Sequence, residues 1–154
     1  MRRKDKEITD FKAIEEIIKS SNVCRIAMSK DDFPYVVPMC FGYENNTLYL
    51  HSAKEGRKID FLKFNPNVCI EFDADDEVIG SEDACVFGMK YKSVIASGKA
   101  VFLEDIHEKR TAVNILVRQY SDKSFIIPDE ALKNMAVLKV DIQNISGKIS
   151  GYKI

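Results

Sequence analysis

The sequence predicts an α+β protein, mainly β, in which about six antiparallel strands form a small barrel with helices at its periphery. Three observations predict it. Apolar residues alternate with period two in segment after segment, and Gly, Asn, Asp or Pro interrupts those segments. Helical spacing recurs only in isolated stretches. The 154 residues fit one domain, residues 1–154, large enough to bury a core without disulfides or metal.

The elements follow in order. "TDFKAIEEIIKSS" reads as a helix, with Phe11, Ile14, Ile17 and Ile18 on one face and Thr9 or Asp10 as its cap. "VCRIAMS" alternates Cys24, Ile26 and Met28 against Val23, Arg25 and Ala27, so it reads as a strand. "KDDF" turns the chain into "PYVVPMCFGY", whose Pro34 and Pro38 suit an edge or bulged strand. "ENN" makes the next turn, and "TLYLHS" places Leu48 and Leu50 opposite Tyr49 and His51. A helix over "GRKIDFLKFN" stops at Pro66, and "NVCIEFD" is a strand with Val68, Ile70 and Phe72 on one face. The acidic "ADDEVIGSED" reads as a surface loop. "ACVFGMKYKSVIASGKAVFLED" is a long strand or bent pair with Gly88 and Gly98 as candidate bulges. "IHEKRTAVNILVRQYS" is a helix through Ala112, Ile115, Leu116 and Gln119. Pro128 opens a short helix, and "MAVLKVDIQNISGKIS" is the last strand.

Composition narrows the function. With 23 basic and 24 acidic residues the net charge is −1, so bulk electrostatics offers nothing to a nucleic acid. No apolar run is long enough to span a membrane, and the charged start lacks the apolar segment of a secretion leader. Cys24, Cys40, Cys69 and Cys85 each sit in an apolar run; buried free thiols in a reducing cytoplasm are expected. His51 and His107 are too far apart in the chain to suggest a zinc site.

One stretch stands out. In "HSAKEGRK", residues 51–58, a strand gives way to a helix. Ser52 and Glu55 match a capping box, but that start buries Gly56 inside the helix at a cost of about 1 kcal/mol. A start at Gly56 avoids the cost. It also sets Arg57 and Lys58 in the first turn, where the helix dipole disfavours cations and free amides favour an anion. A bound phosphate monoester would account for both; two solvated side chains on a capped helix are the plainer reading of these eight residues.

Across nearly the whole chain the segments "MRRKDKEI", "CRIAMS", "PYVVPMCFGY", "LYLHSAKEGRKIDFLKFNPNVCIEFD", "YKSVIASGKAVFLED" and "ISGK" resemble the flavin-binding split-barrel proteins related to pyridoxamine 5'-phosphate oxidase, and within them the nitroimidazole-resistance branch. The resemblance implies a six-stranded split β-barrel, a homodimer, and FMN held in clefts between the subunits. It implies that Arg57 and Lys58 hold the FMN phosphate, and that Arg25, Ile26, Ala27 and Met28 lie along the flavin. His51 and Ser52 fall where the family contacts flavin, and Tyr91 and Ser93 where it completes the ribityl–phosphate pocket.

The chain has no Trp and lacks the tryptophan and arginine found near the C-terminus of pyridoxamine-phosphate oxidases, so vitamin oxidation is not expected. The expected function is FMN-dependent reduction of small aromatic, nitroimidazole-like substrates, with His51 as the catalytic candidate because its intrinsic pKa suits proton transfer near neutrality. The alternative is a non-catalytic module holding flavin, deazaflavin or haem.

Overall fold

The structure, a computed structural model, describes residues 2–152. Met1, the first residue of the "MRRKDKEI" stretch, lies outside them, as do the last two residues. The architecture is the expected α+β, mainly β split barrel, but with eight strands among the described residues instead of six, because the "PYVVPMCFGY" segment divides in two and a two-residue strand precedes the first helix. Its strands are β1 (Glu7–Ile8), β2 (Cys24–Lys30), β3 (Phe33–Met39), β4 (Gly42–Glu44), β5 (Thr47–Ser52), β6 (Asn67–Ile79), β7 (Gly88–Leu103) and β8 (Ala136–Ser150). The helices are α1 (Phe11–Ser20), α2 (Arg57–Phe64), α3 (Ile106–Arg118) and α4 (Asp129–Lys133).

All pairings are antiparallel, in the order β3-β2-β6-β7-β8-β5-β4, with β1 added to β8. Two-residue turns make the hairpins. Asp31 and Asp32 (φ 50 and 62°) join β2 to β3, and Asn45 and Asn46 (φ 51 and 60°) join β4 to β5. Asp and Asn tolerate this left-handed backbone, which matches the twist of the strands. The expected single strand "PYVVPMCFGY" is two. Cys40 and Phe41 carry the chain from β3, at one end of the strand order, to β4 at the other, without pairing the two edges.

That crossover is pinned. The Phe41 ring is fully buried, edge-on to Phe72 at 5.0 Å. The Phe41 amide donates to the Tyr120 hydroxyl at 2.9 Å, and that hydroxyl donates to the Asn22 carbonyl at 3.0 Å. Burial pushes the Tyr120 phenol to about 12, so it stays protonated at neutral pH. Tyr120→Phe strands a buried amide. It is expected to cost about 1–3 kcal/mol, a fall in Tm of roughly 2–12 °C, measured by thermal unfolding.

Helix α1 starts where Asp10 accepts from the Lys12 amide and closes one end of the barrel with Ile14, Ile17 and Ile18. A satellite core of Leu103, Ala112, Val113, Leu132 and Val137 lies under α3 and α4. Pro34 and Pro38 sit on β3, an edge strand that pairs only with β2. The register shift at Ser97/Gly98 leaves Gln143 unpaired, so the bulge lies on β8, and Gly98 stands opposite it, where a Cβ would run into the Asp141 carbonyl oxygen.

Several expectations fail. Phe11 is exposed, because α1's buried stripe begins at Ile14. Only Cys24 is buried; Cys69 falls on the outward side of β6, between Val68 and Ile70, while Cys40 lies in the crossover and Cys85 in a turn. The "ADDEV" portion of the acidic loop continues β6, with the irregularity at Ala74/Glu77 and Asp75 at φ 54°; Gly88 starts β7 instead of bulging it. Carboxylates on the outer face find lysines across the ladder, Lys90 with Glu77 at 3.0 Å and Lys92 with Asp75 at 2.7 Å, which lets an acidic stretch remain a strand. Among the described residues no helix is long and apolar enough to cross a membrane.

Candidate functional site

The stretch from His51 to Lys58 folds as the second of its two readings. β5 ends at Ser52, and α2 begins at Arg57 with Gly56 as its N-cap. Gly56 takes φ 116°, a conformation reserved for glycine, and a Cβ placed there would meet nothing within 4 Å. No side chain caps this helix. Its first-turn amides therefore have no side-chain acceptor, and the positive end of the helix dipole lies with them.

Both cations hold unusual positions. The Arg57 guanidinium lies over Tyr35 at 4.7 Å, Phe33 at 5.0 Å and Phe61 at 5.4 Å from the ring centroids. Aromatic faces fix it without neutralising it. The Lys58 ammonium is half-buried, with Met39 Sδ 3.5 Å away. Burial lowers its pKa. Among the described residues neither cation has a carboxylate partner. His51 is also lowered, first by loss of solvent and then by the charge of Lys58.

The His51 shift has a testable sign. A base held below its ordinary value binds fewer protons folded than unfolded. It therefore weakens the fold at pH below its folded pKa, and the penalty fades as pH rises past 6.5. His51→Gln is expected to stabilise the protein more at pH 5 than at pH 8, read as the shift in urea midpoint; an equal shift at both would contradict it.

The β2 residues divide by side. Ile26 and Met28 point into the core, so only their backbone could meet a ligand; Arg25 and Ala27 face outward. Arg25 is already engaged, donating to Glu71 at 3.1 Å and to Asp73. β2 pairs with β6 only from Arg25 to Ala27, and beyond that point Met28–Lys30 is paired with β3 alone. The barrel is split there, beside α2, with Asn65 Nδ2 reaching Ser29 Oγ at 3.1 Å across the gap.

Tyr91 and Ser93 stand elsewhere. Ser93 pairs with Lys148, whereas His51 pairs with Val137, itself opposite Leu103 at the far end of β7. Ten residues of strand, about 33 Å of path, separate Ser93 from that end. One chain does not bring the two groups together. The Tyr91 phenol is lowered by a hydrogen bond from Lys148. A cavity of about 510 Å³ beside α1 holds none of the candidate residues; Glu7, Asp10, Glu16 and Asp75 rim it against one lysine, Lys92. That charge is wrong for an anionic cofactor.

Sequence reasoning missed the aromatic cage and Met39. Phe61, four residues after Arg57 on one helix face, was legible; Phe33, Tyr35 and Met39 arrive through the fold.

The comparisons bear on the fold and the family. A candidate 5-nitroimidazole antibiotic resistance protein from Bacteroides thetaiotaomicron is 41% identical, with a TM-score of 0.85 over 93% of this chain and 86% of that one. A FAD- and haem-binding protein from Mycobacterium smegmatis shares the fold at 18% identity, TM-score 0.87, over 96% and 74% of the two chains. An uncharacterized protein of Rhizobium meliloti (strain 1021) is 30% identical over 83 residues; this is 54% of the present chain, which thus spans about half the length, 48%, of that curated relative. Residues 10–149 match the description "Pyridoxamine 5'-phosphate oxidase", and the chain belongs to that family.

Proposed function

We propose that this protein binds a flavin through its phosphate ester, FMN in the simplest case, and uses it to reduce small nitroaromatic substrates. The observation that carries the reading is the pair Arg57 and Lys58, two cations without a carboxylate partner among the described residues, at an uncapped helix start. These residues fit a phosphate. Gly56 leaves space for it, the first-turn amides would bond its oxygens, and the two cations would balance its charge.

When bound, a flavin supplies hydride or electron-pair transfer, chemistry no side chain offers. The chain's own part is to hold and exclude. Ser52 offers a hydroxyl at the cradle. The split beside Met28–Lys30 leaves backbone groups of β2 free to bond the ring edge. The lowered His51 is neutral at pH 7, so its imidazole presents one N–H and one acceptor nitrogen to a bound substrate.

A homodimer with the flavin between subunits is part of the proposal. The distance between the His51–Lys58 group and the Tyr91–Ser93 group supports it, since a second copy can supply what one chain keeps apart. The likeness to the Bacteroides protein supports the nitroimidazole class of substrate, and the exposed free thiols suit a reducing cytoplasm. One observation favours the non-catalytic alternative, a flavin, deazaflavin or haem carrier. Arg25 is committed to Glu71 and Asp73, so its charge is already balanced before any ring arrives.

Titration of the purified protein with FMN decides the first point. Saturable quenching of flavin fluorescence is expected, and a protein that never takes up flavin sinks the reading. Bleaching by NADH or NADPH, followed by reoxidation with a nitroimidazole, then separates enzyme from carrier.

A further inference from the structure

Helix α2 has a second face. Ile59 and Lys63 lie one turn apart on it, about 200° round the helix from Arg57 and Phe61. They line a pocket of about 310 Å³ closed by the end of β7, the start of β8 and α3. Its lining is mixed: Ile59, Phe102, Leu103 and Val137 supply apolar surface, and its charged groups are Lys54, Lys63, Lys109 and Glu104.

Lys109 is the anomaly. It is only 7% exposed, on the buried side of α3. Its ammonium makes one hydrogen bond, to the Met135 carbonyl at a long 3.4 Å. Among the described residues no carboxylate pairs with it. The nearest acid one turn earlier, Asp105, is spent on capping α3 through the His107 and Glu108 amides. Glu104, at the rim, is exposed and forms no ion pair with it. A lysine this buried along its length, with donors left over where its ammonium meets the pocket, offers an anion a charge that no carboxylate has already balanced.

We propose that this pocket is a binding site for a small organic monocarboxylate. The carboxylate would sit on Lys109 with Lys54 and Lys63 at the mouth, and the hydrocarbon would lie on Ile59, Phe102 and Val137. The volume is near the lower bound of small-molecule sites, which selects a compact ligand over a nucleotide. Its helical residues, Ile59 and Lys63, lie on the opposite face of α2 from Arg57, although Lys54 belongs to the loop that leads into the cradle.

Hexanoate is the probe, with hexanol and inorganic phosphate as controls, and thermal unfolding of the full chain as the readout. In the Arg57→Ala/Lys58→Met background, where the flavin cradle no longer takes an anion, hexanoate is expected to raise Tm saturably while neither control does. Lys109→Met, which keeps the shape and removes the charge, is expected to weaken the apparent Kd at least about tenfold. No hexanoate shift in that background, or an undiminished shift once Lys109→Met is added to it, overturns the proposal. So does an equal shift from hexanol, or from phosphate, the latter meaning an adventitious ion only. Should Lys109→Met fail to fold, the double variant of the two exposed lysines, Lys54→Met with Lys63→Met, decides: weaker hexanoate binding supports the site and unchanged binding overturns it.

Discussion

Gly42→Ala is expected to lower Tm by roughly 6–12 °C, the result of about 3 kcal/mol of overpacking, and Gly42→Val is expected not to fold. Gly42 opens β4 and is buried. A Cβ there would stand 2.6 Å from both Cα and N of Leu116 and 2.7 Å from the Ile115 carbonyl carbon. These are backbone atoms of α3, not the end of a flexible side chain. Relief requires the whole helix to withdraw from the barrel, and Ile115 and Leu116 lose their burial with it. Gly80 is the control, since a Cβ there meets nothing within 4 Å and its φ is ordinary. An alanine at 42 that melts with the parent would refute the close approach.

The second large effect concerns the cradle. Arg57→Ala combined with Lys58→Met is expected to weaken FMN binding by at least about 100-fold, from the loss of two charge-assisted contacts worth about 1.5–3 kcal/mol each. Riboflavin, which lacks the phosphate, should bind both proteins alike. The same change should leave the empty protein as stable as before or more so. Lys58 is a half-buried cation without an acid, lowered by its surroundings, and methionine fills its volume without the charge. Opposite signs for affinity and stability mark a group kept for a ligand. A parallel loss of riboflavin and FMN affinity would mean the cations shape the cleft without reading the phosphate.

Local rules made much of the fold legible. The start of α2 followed from the cost of burying Gly56 in a helix, and both hairpins from Asp-Asp and Asn-Asn between alternating runs. Non-local geometry was not legible. "PYVVPMCFGY" is continuous in pattern, and nothing in it tells that Cys40 and Phe41 change partners, because the reason is Tyr120, far along the chain. The cysteines misled for a related cause: an apolar run in a strand has two sides, and register decides which side is covered. At the site, the two cations were visible as residue types out of place at a helix start. Their partners were not, since β3 brings Phe33 and Tyr35 to α2 from more than twenty positions earlier. Lys109 escaped notice altogether, because a lysine in an amphipathic helix reads as solvated until the helix is seated.

The place of β8 in the sheet sets a timetable for the newborn chain. The β2–β3 and β4–β5 hairpins are local and can form within microseconds of synthesis. But β5 has no long partner until β8 exists, since Leu48 pairs with Val140 and His51 with Val137. At about 5–20 residues per second, that interval is on the order of ten seconds. Throughout it, one side of β5 is an open edge and the barrel interior is uncovered. The finished protein hides both; its exposure to aggregation belongs to the ribosome, before β8 arrives.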